Sequence, residues 1–79
     1  MIITLKYFGQ LAEILHKQQE EMQIELPLSI SALRKIKETE HPSLAKSDYR
    51  IAVDQVLVDD DFEINTAAEI AFLPPFAGG

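Results

Sequence analysis

Two of the three glycines in this 79-residue sequence, Gly78 and Gly79, stand together at its last two positions. A carboxyl group there has no β-carbon beside it, and its ordinary pKa of about 3.3–3.7 leaves it ionised at neutral pH. Such an unhindered carboxylate can attack the α-phosphate of ATP to give an acyl-adenylate. A sulfur nucleophile can then displace AMP and leave a thiocarboxylate. The preceding residues suit the same chemistry. Pro74 and Pro75 fix φ and favour extended backbone, so they stop the strand before them and launch Phe76, Ala77, Gly78 and Gly79 stiffly outward. Four extended residues reach at most about 13–14 Å, enough to enter a deep cleft in another protein. Small residues are also tolerated at chain ends that do nothing, so the glycine pair takes its meaning from this context.

No internal constellation competes with that tail. His16 and His41 each fall at a predicted helix end, where an imidazolium complements the helix dipole. With no cysteine in the chain, disulfides, thiolate-bound metal and sulfur carriage on a side-chain thiol are all excluded. Asp59-Asp60-Asp61 lacks the spaced acids, central glycine and distal glutamate of a calcium loop and reads as a solvated turn. Gly9 alone cannot make a phosphate-cradling loop, and no nucleophile elbow is present. No metal site is expected. Thirteen acidic residues against seven basic ones give a net charge of −6, with the cations scattered rather than striped. Phosphate backbones would repel such a chain, which argues against nucleic acid and is compatible with a basic protein partner. The longest apolar run, Ile70 to Ala77, is broken by two prolines and falls well short of the ~20 residues that span a bilayer. Met1 to Lys6 reads as a strand rather than a leader, so a cytoplasmic protein is expected.

The elements that must hold the tail follow from periodicity. Ile3, Leu5 and Tyr7 alternate with Thr4 and Lys6, the pattern of a half-buried strand over 2–8 that Gly9 breaks. Leu11, Ile14 and Leu15 share one face of a short helix ending near His16. Met22, Ile24 and Leu26 predict a strand over 20–26, closed by Pro27. Ser29 is a good N-cap for the main helix. That helix should bury Ile30, Leu33 and Ile36 and turn Arg34, Lys35, Lys37, Glu38 and Glu40 to water, ending at His41-Pro42. A connecting segment follows, with one helical turn around Leu44. Ile51-Ala52-Val53 and Val56-Leu57-Val58 form a hairpin about Asp54-Gln55, although the turn lacks the usual glycine. Glu69 to Leu73 is the last strand. Strands gathered around one principal helix predict an α+β layer, a mixed sheet packed against that helix, in the ubiquitin-like β-grasp arrangement with the first and last strands adjacent. Residues 1–75 would form this domain and 76–79 a flexible tail. A domain of this size buries only roughly 60% of its unfolded surface, so modest stability is expected.

With these residues in place, the sequence resembles the small subunit of molybdopterin synthase, within the wider group of ubiquitin-like sulfur carriers. The likeness runs through Leu5-Lys6-Tyr7-Phe8-Gly9-Gln10-Leu11, Ala32-Leu33, Val53-Asp54-Gln55-Val56-Leu57-Val58 and Glu69-Ile70-Ala71-Phe72-Leu73-Pro74-Pro75-Phe76-Ala77-Gly78-Gly79. The last block is the most specific. The resemblance implies that an E1-like activating enzyme adenylates Gly79 with ATP and a sulfurtransferase converts it to a thiocarboxylate. The tail, Pro74 to Gly78, would then enter the large synthase subunit, where Gly79 donates sulfur to cyclic pyranopterin monophosphate in molybdenum cofactor biosynthesis. The implied assembly is a heterotetramer with two small subunits. The chain itself would bind no cofactor.

Alternation adds a docking surface. If Ile3, Leu5 and Tyr7 face the core, Phe8 points the other way, and if Ile70 and Phe72 face it, so does Leu73. Leu57 could join them on one exposed apolar face beside the tail. The resemblance implies the same three partner-contact positions, Phe8, Leu57 and Leu73. The competing reading puts these residues in a minor core under loops. Ala12 departs from the pattern, since some relatives carry arginine there. Three other functions share these features: a sulfur carrier for thiamine thiazole synthesis, a ubiquitin-like protein modifier, and an interaction domain with an incidental ending.

Overall fold

The computed structural model describes residues 1–75. The first strand, β1 (Ile2–Tyr7), turns through Gly9 into a short helix, α1 (Gln10–Leu15), and returns antiparallel as β2 (Gln19–Gln23). A two-residue strand, β3 (Leu28–Ser29), precedes the main helix α2 (Ile30–Glu40) and the single turn α3 (Pro42–Ala45). Then come β4 (Arg50–Val53), β5 (Val56–Val58), β6 (Glu63–Ile64) and β7 (Glu69–Leu73). Five strands form one sheet in the order β2-β1-β7-β4-β5, while β3 and β6 make a separate ribbon. The outer strand pairs are antiparallel, but β1 and β7 run parallel at the centre, in the register Leu5–Ile70 and Tyr7–Phe72. A mixed sheet packed against one principal helix is the α+β β-grasp fold.

One face of the sheet is dry. Ile3 and Leu5 of β1, Ile51 of β4, and Ile70 and Phe72 of β7 are at most 1% exposed and close on Ile30 and Leu33 of α2 and Leu11 and Leu15 of α1. Phe72 lies among aromatic rings, with Tyr7 edge-on at 5.2 Å and Tyr49 stacked at 5.5 Å. Such pairs contribute about 0.5–1.5 kcal/mol beyond the area they bury. The Arg34 guanidinium covers the outer face of Tyr49 at 4.4 Å. At the start of α2 the Ser29 hydroxyl accepts the Ala32 amide at 3.1 Å, so the predicted cap forms.

Two sequence expectations are corrected. The second strand ends at Gln23 rather than Leu26, because its partner β1 begins at Ile2, which pairs with Gln23. Beyond that pair Ile24 bonds only to Met1, donating to its carbonyl at 2.8 Å and accepting from its ammonium group at 3.0 Å. The second correction concerns α2, whose most buried positions are Ile30, Leu33 and Lys37, with Ile36 only half-buried. Lys37 lies under the sheet because Glu20 points there from β2. Its ammonium group donates to Glu20 at 2.9 Å and to Glu40 at 2.8 Å, with a side chain only 4% exposed. Glu20 also accepts the Tyr7 hydroxyl and, at 3.3 Å, the Lys17 ammonium group. Burial alone would raise the Glu20 carboxyl, but these three donors and the Lys37 charge outweigh it and hold the pKa at about 2. For Lys37, burial works downward and the two carboxylates more than offset it, so its pKa is raised.

Candidate functional site

The tail is rooted in β7, the middle strand of the large sheet. Its alternation is strict, with Ile70 and Phe72 buried and Ala71 and Leu73 on the opposite face. Proline has no amide to donate, so the ladder stops at Leu73, before Pro74. Next to the root, the Phe8 amide donates to the Phe72 carbonyl at 3.2 Å and carries the β1–β7 pairing to its end. Gly9 follows at φ +57°, and a β-carbon built there would lie 3.1 Å from Pro74 Cγ. That close approach seats the first proline on the β1–α1 turn, and the absence of a side chain at Gly9 makes room for it. Pro74 is half-buried and Pro75 exposed. The remaining predicted tail residues, Phe76, Ala77, Gly78 and Gly79, lie outside the described residues.

The predicted docking residues share the face away from α2. Register fixes this without reference to contacts. Leu57 pairs with Ala52 and Ala52 with Ala71, so all three side chains stand on the side opposite Ile70 and Phe72. Leu73 pairs with Arg50 on that same side. Phe8 follows Tyr7, whose ring enters the core, and so turns outward. Phe8 is 45% exposed and Leu57 47%, and Leu73 is half-buried between its neighbours. Phe8 just after β1, Leu73 of β7 and Leu57 of the edge strand β5 therefore share one uncovered sheet face, with Phe8 and Leu73 at the tail's root and Leu57 across β4 from it. They do not close a minor core under loops. An open depression next to Phe8 is lined by Lys6, Gly9, Gln10, Ala12 and Glu13, which puts Ala12 at the border of this face.

The other sequence candidates are dispersed. His16 caps α1 in the left-handed region at φ 60°, and His41 joins α2 to α3. Asp60 forms an ion pair with Arg34 at 3.1 Å, and its carbonyl accepts the Ser31 amide at 2.9 Å, so this acid is part of the framework around α2. Among the described residues no group of three metal-ligating side chains gathers, and no helix is long and apolar enough to cross a membrane. Sequence reasoning missed the buried Lys37–Glu20–Tyr7 cluster. Its one available signal was position, since Lys37 stands seven residues after Ile30 on the helix stripe.

The family model described as "ThiS family" matches residues 5–79 of this chain. A molybdopterin synthase sulfur carrier subunit from Caenorhabditis briggsae is 30% identical over 81 residues, covering 98% of this chain and 96% of its own length. Among solved structures, a putative molybdopterin converting factor subunit 1 from Pyrococcus furiosus superposes with a TM-score of 0.87 at 19% identity, over 96% of this chain and 99% of that one. A chain in the complex of subunits 1 and 2 of molybdopterin-converting factor from Helicobacter pylori gives 0.70 at 22% identity over the full length of both. At such identities these structures speak to the fold.

Proposed function

The chain belongs to the ThiS family, and from that premise we propose that it is the sulfur carrier subunit of a molybdopterin synthase, acting through the carboxylate of Gly79. One observation carries this reading above the others: the strand leading to the terminal Gly-Gly ends on an uncovered apolar face formed by Phe8, Leu57 and Leu73. A carrier needs both parts side by side, a surface that an enzyme can grip and a tail that the same enzyme can draw in.

In this reading an E1-like enzyme docks on that face. The Gly79 carboxylate attacks the α-phosphate of ATP, forms the acyl-adenylate and releases pyrophosphate. Sulfur delivered by a sulfurtransferase displaces AMP and leaves the thiocarboxylate. The charged tail then enters the large subunit, where the thiocarboxylate sulfur bonds to a carbon of cyclic pyranopterin monophosphate. Water cleaves the bond from that sulfur to the Gly79 carbonyl carbon, leaving the sulfur on the pterin and regenerating the carboxylate for another round. Two small subunits would serve each heterotetramer, in the cytoplasm where ATP is available. The chain's own contribution is positional. Pro74 is held against Gly9, Pro75 follows it, and Gly78 and Gly79 offer no side chain to a narrow channel. A named pairing of subunits 1 and 2 in the Helicobacter pylori complex supports a large-subunit partner.

The test is direct. Incubation with the activating enzyme, ATP and a sulfur source should yield a species in which one oxygen of Gly79 is replaced by sulfur, read by intact mass. Removal of Gly79 should abolish that species and leave the fold unchanged. Co-purification should recover the large synthase subunit, whereas recovery of a thiazole synthase or a ladder of lysine conjugates would assign the carrier to another acceptor.

A further inference from the structure

The bare face of the sheet is not electrostatically uniform, and its polarity runs along the strands. Strand register orders its side chains into rows. In one row, Thr4 has Glu21 on one side and Glu69 on the other, and beyond it, farther from the tail, Ile2 pairs with Gln23. The next row toward the tail reads Gln19, Lys6, Ala71, Ala52 and Leu57. The row at the tail's root holds Leu73 and Arg50, with Phe8 beyond the last β1 pair. Glu21 and Glu69 thus lie farther from the tail than Lys6 and Arg50, while the exposed Asp59 borders the same depression as Arg50.

The two cations differ in what they already touch. Lys6 is neutralised by Glu69 at 3.1 Å. Arg50 is exposed and forms no ion pair among the described residues. Asp59 and Asp60 border the shallow depression at its base, but Asp60 is engaged by Arg34 at 3.1 Å. Arg50 is therefore a free guanidinium beside Leu73, one strand over from the residue that leads into Pro74. A charge at the rim of an apolar patch contributes to orientation and encounter rate more than to burial energy, and a like charge facing it is strongly disfavoured.

We infer that Arg50 reads an acidic side chain at the mouth of the partner's tail-accepting cleft. This rests on the reading that the apolar face docks the large synthase subunit. The global acidity of the chain would favour a basic partner, but the guanidinium beside Leu73, unpaired among the described residues, favours a carboxylate at that one point. Arginine also suits the task better than lysine, because its planar fork can meet a carboxylate through two bonds.

The experiment measures binding of the full-length chain to the large synthase subunit of the same organism at about 50 mM and about 500 mM salt. Phe8→Ala serves as the control for the face itself. Arg50→Glu should weaken binding by on the order of tenfold or more at low salt and distinctly less at high salt, mostly through a slower association rate. Arg50→Lys should restore part of the rate, and Glu21→Lys should leave it within about twofold. Melting temperatures should be unchanged, since Arg50 is exposed and unpaired among the described residues. If Phe8→Ala weakens binding while Arg50→Glu does not, the role of Arg50 is overturned and the docking face stands. Should neither substitution matter, or the wild-type chain fail to bind, the functional reading falls and this inference with it. A carboxylate on the large subunit whose change to lysine rescues Arg50→Glu would identify the partner group.

Discussion

The two faces of the large sheet are built from adjacent residues of the same strands and have opposite fates. Phe72 and Leu73 are neighbours in β7; the first is completely buried between Tyr7 and Tyr49, and the second is half-buried on the uncovered side. The covered face spends its apolar side chains on holding the domain together. The other keeps Phe8, Leu57 and Leu73 available at some cost in exposed apolar surface. Stability and the proposed docking thereby fall to alternate residues, so a substitution that harms one need not harm the other.

Substitutions in β7 break this comparison most sharply. Phe72→Ala should destabilise the domain by about 3–5 kcal/mol, seen as a lowered denaturant midpoint, because a buried ring leaves a cavity. Leu73→Ala should cost under about 1 kcal/mol of stability yet weaken binding to the large subunit by roughly tenfold, measured by calorimetry. Equal effects on stability from both would mean that the two faces do not divide the work.

The next largest effect lies under the covered face. Lys37→Ala removes the cation buried against Glu20 and should cost about 3 kcal/mol, whereas Lys37→Met, which keeps the apolar stem, should cost less. The same cluster sets a pH dependence. The Glu20 carboxyl falls from an ordinary 4.5 to about 2 on folding, so its stabilising contribution is complete above pH 4.5 and is lost as pH drops toward 2. Lys37 is shifted upward from 10.5, so its contribution is complete below that pH and declines as the solution becomes more alkaline than the raised value. Glu20→Gln should flatten the acid limb of a melting-temperature profile. An unchanged limb would place the cluster's energetic weight elsewhere.

The smallest expected change is a gain. Asp54 and Gln55 both adopt positive φ, 48° and 73°, in the two-residue turn of the β4–β5 hairpin. Such turns favour glycine at the second position. Gln55→Gly should stabilise the domain by about 0.5–1 kcal/mol with no effect on docking, which a thermal melt and a binding isotherm would separate. Asp54 should be kept, because its carboxylate accepts the Glu69 amide at 3.0 Å and ties the turn to β7.

Much of this architecture was legible in the sequence because alternation reports faces directly. Ile3, Leu5 and Tyr7 in β1, and Ile70 and Phe72 in β7, announced the buried side and hence the outward turn of Phe8 and Leu73. Ser29 announced the cap of α2. The hairpin was found despite its turn, since Val53 and Val56 flank it in β-rich pieces. Pairings between distant strands carry no local mark, so the end of β2 at Gln23 depended on where β1 begins. The β3–β6 ribbon, two residues on each side, is too short for any period to register. Lys37 was misassigned because a charged residue on a helix ordinarily faces water, and its carboxylate partner lies 17 residues away on another element.

The central position of β7 has a mechanical consequence. A load applied along the chain beyond Leu73 is carried in shear by two ladders at once, to β1 on one side and β4 on the other. Peeling the strand away would require both to rupture together, unlike an edge strand, which can unzip one bond at a time. In the proposed function, an enzyme could therefore tug on this handle repeatedly while the body it is attached to stays intact.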